Sequence, residues 1–369
     1  MRAMAQSKAN KEPLVHVVRK EDTTTLKKWM LRVIAVAAAL LVTGAFVFAV
    51  TGINPFNIYG AMVTGTFGTP RRIRNTIKTL TPLLCLGVGL APAFKMKFWN
   101  IGAQGQMLVG ALAASFVALT FRNLPGGVLI PLMGLGAVLA GALWAVLPAI
   151  FKAFWNTNET LFTLMMNYIA TFWVMYSVDV WKGESSGFAS FKQIAKNAVM
   201  PVIAKENFYI CTGIVLIVAA LMYIYMKRTK HGYELAVVGE SEKTARYAGI
   251  NVKKVTIRTM VLSGAICGLC GFLTVSGIDF TLSHTMNNGF GFTAIVVAWL
   301  AKFNPFTMIG TSFMMVFFQN AASEISSMNA NATEYLSNVI SGIILFFLIG
   351  VEFFINYRLV FRKNGKEGK

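Results

Sequence analysis

The chain has 369 residues, of which 56% are hydrophobic and 13% charged, with a formal net charge of +19. A soluble globular domain carries about a quarter charged residues, so this composition excludes one and indicates a polytopic membrane protein. The excess Lys and Arg sit in the N-terminal arm, one central loop and the C-terminal tail, a bias towards one membrane side that argues against a nucleic-acid partner.

Residues 1–29 read as a polar, basic cytoplasmic arm. The apolar run that follows is too long for a signal h-region and lacks a small-residue cleavage site, so residues 30–50 are expected to be a retained first span. Arg19, Lys20, Lys27 and Lys28 before it set its start inside. Residues 51–74 then form an outer loop, and a second span over 77–94 returns to Lys95 and Lys97. A short segment, 107–121, leads out; 129–151 returns; 161–180 exits again; and 181–207 makes the longest outer loop. Span 208–226 ends on "KRTKHGYE", which places the coupling loop 227–256 in the cytoplasm. The remaining segments are 257–278, a short 289–301, 306–322 and 336–357, before a basic cytoplasmic tail, 358–369. The expected fold is an all-α bundle of about ten spans occupying 30–357, with both termini inside. "PRRIR" at 70–74 runs against the charge bias. Segments 107–121 and 289–301 are too short to cross ~30 Å of hydrocarbon as straight helices, so they must be half-buried or follow a re-entrant piece.

One such break is "FWNIGAQGQM" at 98–107. Asn100 is a natural N-cap for a helix starting near Ile101, while Gly102 and Gly105 allow close backbone approach. Gln104 and Gln106 can satisfy freed carbonyls or bond across helices. Amides that merely glue helices are the plainer alternative, but three amides and two glycines together, beside the aromatic plane of Trp99, point to a bend bordering a polar path. Asn167, a polar residue inside a later span, faces that path or bridges to a neighbour.

In the central loop, Gly239, Glu240 and Ser241 precede a short helix over 242–248, and Gly249 supplies a left-handed stop with Ile250 against the preceding turn. A capped helix of this kind is a rigid knob and not a solvated charge run. Glu159 after Asn158 favours a helix N-terminus. "GAICG" at 264–268 and "GLGAVLAG" at 134–141 space small residues for close helix packing. Cys267 and Cys270 have CxxC spacing but no second pair or His partner, so no metal is expected, and no cofactor.

There is no GxxxxGK[ST] loop, so the chain is expected to be no ATPase itself. Acidic and basic residues avoid the expected span centres, which disfavours an ion-coupled secondary transporter. His16, His231 and His284 are too scattered for a hydrolytic site.

"FWNIGAQGQMLVGALAA" resembles the NIGxEGQ segment of permease subunits of ABC importers in the nucleoside, simple-sugar and branched-chain amino acid permease family, with Gln104 where an acidic residue is usual. Similar blocks follow in order at "NETLFTLMMNYIA", "ELAVVGESEKTARYAGINV" and "VLSGAICGLCGFLTVSG". The likeness is nearest to the longer permease of bacterial nucleoside importers that use a Bmp-type binding lipoprotein. The resemblance implies a translocation path for nucleosides, or alternatively a simple sugar, and the residues read above, Trp99, Asn100, Gln104, Gln106 and Asn167, are expected to border it. It also implies that Gly239, Glu240, Ala245, Arg246, Tyr247, Gly249 and Ile250 form the helix that docks on the ATPase. Its partners would be a second permease subunit in a heterodimer, a cytosolic ABC ATPase, an extracellular substrate-binding lipoprotein and the lipid of a bacterial plasma membrane.

Overall fold

The computed structural model describes residues 15–19, 25–52, 54–181, 194–203, 206–286, 289–327 and 334–361. It forms two compact units, one from residues up to 62 and from 322 onwards, the other from residues 63–321. The helices are α1 (Thr25–Thr51), α2 (Pro55–Phe67), α3 (Pro70–Lys95), α4 (Ala103–Thr120), α5 (Gly126–Trp155), α6 (Glu159–Val180) and α7 (Phe208–Arg228). They continue with α8 (Lys230–Glu240), α9 (Glu242–Tyr247), α10 (Val252–Gly277), α11 (Phe290–Leu300), α12 (Pro305–Ser327) and α13 (Glu334–Asn356). The chain is therefore an all-α polytopic membrane protein, and seven of these helices are long and apolar enough to cross a bilayer.

In the first unit α1 packs on α13. Flanking them, β1 (Val15–Arg19) pairs antiparallel with β2 (Tyr357–Phe361), Val15 opposite Phe361 and Arg19 opposite Tyr357. Part of the expected arm and tail is thus a ladder, because "VHVVR" and "YRLVF" are rich in β-branched and aromatic residues. Residues 25–29 of the expected arm begin α1, five residues before the expected span, while 1–14, 20–24, 362–369 and, in the expected outer loop, 182–193 and 204–205 lie outside the described residues.

The second unit is built around α10, which packs against α5, α4 and α3. Helices α3, α4 and α10 are largely buried, whereas α5, α6 and α7 bury a smaller share and expose apolar side chains such as Leu143, Phe172 and Leu221. Apolar faces left outward in this way suit contact with lipid. Both small-residue stretches lie on a close helix crossing, as expected, and they meet each other. A methyl group added at Gly264 would strike the Gly141 carbonyl, and one at Gly141 would lie 2.7 Å from the Gly268 Cα, so α5 and α10 cross backbone to backbone.

Three boundaries differ from the sequence reading. The expected outer loop 51–74 contains α2 and the first turn of α3. Thr69 caps α3 by accepting a hydrogen bond from the Arg72 N–H at 3.2 Å, with Pro70 in the first turn, so "PRRIR" belongs to a helix and not to a loop. The short segment 107–121 is the body of α4, which starts at Ala103 and spans about 27 Å at 1.5 Å per residue. The coupling loop 227–256 holds two helices, because Thr229 and Ser241 each cap a new start.

Candidate functional site

Helix α3 ends in a Schellman turn: the Lys97 N–H donates to the Phe94 carbonyl at 2.9 Å and the Phe98 N–H to the Ala93 carbonyl at 3.0 Å. Lys97 takes the left-handed conformation, φ 61°, that glycine usually occupies. The chain then crosses the interior without helical bonding until Gly102, and buried irregular backbone needs side-chain partners. Asn100, fully buried, supplies them. Its Oδ1 accepts from the Gly102 N–H at 3.0 Å and from Gln106 Nε2 at 3.1 Å, while its Nδ2 donates to Gln106 Oε1 at 3.3 Å and Ser263 Oγ at 3.2 Å.

Asn100 is thus not the N-cap that was expected. That position falls to Gly102, and α4 starts at Ala103, because the Asn100 amide is committed to its neighbours across the break. Asn167 of α6 bridges: its Oδ1 accepts from the Gly105 N–H at 2.8 Å, and its Nδ2 donates to the Ile101 carbonyl at 2.8 Å. Thr163, one turn earlier, accepts from the Ile101 N–H at 3.2 Å. The sequence reading named Asn167 alone; the signal for Thr163 is its place four residues earlier on the same helix face. Ser263 carried no comparable signal.

Trp99 and Gln104 are placed differently. Trp99, 42% exposed, stacks on Trp299 with ring centroids 5.4 Å apart and 23° between planes, and Phe94 meets it edge-on at 5.9 Å. Gln104 packs against Gly291 of α11, and its Oε1 is buried without a hydrogen-bond partner among the described residues. A buried amide oxygen left unpaired costs about 1–3 kcal/mol.

The helix pair α8 and α9 docks beneath this bend. Ser241 caps α9 by accepting from the Thr244 N–H at 3.3 Å. The expected stop is present: Gly249 has φ 75°, its N–H donates to the Arg246 carbonyl at 3.0 Å, and the Ile250 N–H donates to the Ala245 carbonyl at 2.9 Å. Ala245 is fully buried, in one apolar cluster with Leu235 and Val238 of α8 and with Met96 and Phe98 of the bend, and Ile250 packs against that cluster. Gly239 lies on the Lys95 carbonyl, with no room for a methyl group. Arg258 Nη2 donates to Glu234 Oε2 at 3.0 Å and holds that carboxyl below its usual range, tying α8 to α10. On the other side Glu240, Arg246 and Tyr247 are exposed, and Arg246 pairs with Glu242 at 3.4 Å. The result is an apolar face seated on the bend and a polar face left outward.

Residues 72–349 match the family described as branched-chain amino acid transport system / permease component. The chain is 30% identical to a glucose ABC transporter permease protein of Haloferax volcanii over 91% of each chain. It is 31% identical to a guanosine ABC transporter permease protein of Bacillus subtilis, over 70% of this chain and 76% of that one. A nucleoside ABC transporter permease protein of Lactococcus lactis is 27% identical over 90% of this chain and 93% of its own.

Proposed function

Because the chain belongs to the family of branched-chain amino acid transport system permease components, we propose that it forms part of the membrane pathway of an ABC importer for nucleosides. The observation that carries the reading is the shared apolar cluster, in which Ala245 of α9 and Met96 and Phe98 of the bend pack as one body. A push on α9 reaches the start of α4 through packed side chains rather than through a flexible loop. In this reading α9, with Glu240, Arg246 and Tyr247 outward, docks on a cytosolic ATPase whose nucleotide cycle supplies the energy. Asn100, Gln106 and Asn167 hold the bend, while Trp99 and Gln104 border the path. Gly239, Ala245, Gly249 and Ile250 seat the docking helix.

A second permease subunit completes the pathway, and an extracellular lipoprotein delivers the substrate. Guanosine and nucleoside permeases among the relatives support nucleosides as cargo. The glucose permease supports a simple sugar as the second reading. Uptake of labelled guanosine, uridine and glucose by the reconstituted complex separates the two. Uptake that proceeds without ATPase or binding protein would defeat both.

Replacing Gly249 with valine tests the docking helix. The position has open space around it but a left-handed φ, so a branched residue costs about 1–2 kcal/mol in backbone strain and loosens the stop of α9. Membrane insertion should be normal and substrate-stimulated ATP hydrolysis should fall several-fold. Unchanged stimulation would remove the role assigned to α9.

We place the protein in a bacterial plasma membrane with both termini and residues 227–256 in the cytoplasm. The β1 and β2 pairing supports placing the two termini on one side, since it sets residues 15–19 beside residues 357–361. All four cysteines are buried, so single reporters can be read against them. A cysteine at Lys230 should resist an impermeant thiol reagent in whole cells, and one at the exposed Asn123 should react. The opposite pattern would invert the topology.

A further inference from the structure

A pocket of about 240 Å³ lies between Lys97 at the bend, the end of α5, the outer side of α9 and the start of α10. Four cations, Lys97, Lys152, Arg246 and Lys253, line it together with one carboxylate, Glu242. Lys152 is matched by Glu159 at 2.9 Å and Arg246 by Glu242 at 3.4 Å. Lys97 and Lys253 have no carboxylate partner among the described residues, so the lining carries two uncompensated positive charges. The positive end of the long helix α10 adds to them.

The surroundings select the source of the anion. The pocket adjoins the end of α5, whose outer face exposes Leu139, Leu143 and Leu147 and then Phe154 and Trp155. An apolar face closed by aromatic residues is the pattern of a helix emerging through a membrane interface. The Lys253 ammonium rests 4.5 Å above the Phe154 ring, which holds that charge at the aromatic border. Basic pockets between membrane helices at that depth suit lipid headgroups.

We propose that this pocket holds the phosphate of an anionic phospholipid headgroup, bound chiefly by Lys97 and Lys253, with the acyl chains along α5. A lipid there touches the bend, α5, α9 and α10 together, so its occupancy bears on how firmly the docking helix is seated. The site does not depend on which cargo the permease carries.

The test is native mass spectrometry of the detergent-solubilised full chain titrated with phosphatidylglycerol or phosphatidylcholine. The wild-type protein should retain phosphatidylglycerol preferentially, and the Lys97→Gln/Lys253→Gln protein should lose roughly tenfold in affinity for it. Lys243→Gln, an exposed change outside the pocket, should stay within about twofold, and Lys253→Arg should retain binding. If the double variant does not insert, Lys253→Gln alone is read against Lys253→Arg. Equal retention by the glutamine and wild-type proteins would overturn the site. Displacement by millimolar inorganic phosphate would assign it to a free anion and overturn the lipid.

Discussion

The Gly105→Leu protein is expected to reach the membrane and to carry no substrate. A Cβ at this position would sit 2.9 Å from Asn167 Oδ1, 3.0 Å from its Cα and 3.1 Å from the Met166 carbonyl, so even the first added atom presses on the α6 backbone. A branched side chain must push α4 and α6 apart, breaking both bonds by which Asn167 holds the bend. Gln106→Ala is the milder change. It removes a reciprocal amide pair but leaves Asn100 bonded to Ser263 and to the Gly102 N–H, for a cost of about 1–3 kcal/mol. Uptake should be abolished by the first substitution and only slowed by the second, at matched membrane levels. Near-normal uptake by Gly105→Leu would mean that the bend neither packs tightly nor moves.

A larger effect on folding is expected at the α5 and α10 crossing. Leucine at Gly264 would collide with the Gly141 carbonyl and the Ala145 methyl group, and backbone atoms cannot step aside as a flexible side chain can. Overpacking a well-filled interior costs about 1–3 kcal/mol, more where two backbones must separate. The yield of monodisperse protein after detergent extraction should collapse. Gly213→Leu on α7, where nothing lies within 4 Å, is the matched control and should extract like wild type. Equal yields from both proteins would show that the crossing is not the packing centre of the unit.

How far the sequence reveals this arrangement depends on the range of the interaction. Local signals read correctly: Gly249 and Ile250 specify a Schellman stop within six residues, and the small residues of 134–141 and 264–268 announce a close crossing. Asn100 misled because a lone Asn before an apolar run has the local look of an N-cap, while its true partners, Gln106 and Ser263, include one 163 residues away. Proline also carried more weight than hydropathy suggested, since Thr69 and Pro70 start α3 inside a charged stretch that an apolar window treats as loop. The stacking of Trp99 on Trp299 joins residues 200 positions apart, and nothing local to either announces it.

The pairing of α1 with α13, and of β1 with β2, sets a timetable for biogenesis. Helix α1 is made before the whole of the second unit and its partner α13 after it. Contacts so distant in sequence form slowly, after the cost of closing a very long loop. Until α13 is made, α1 lacks the helix it packs against most, and α2 offers it the Tyr59 hydroxyl, which donates to the Leu40 carbonyl at 3.1 Å. A nascent chain stalled before residue 334 should therefore present much of α1 to crosslinkers or to membrane proteases, and that exposure should end when α13 emerges.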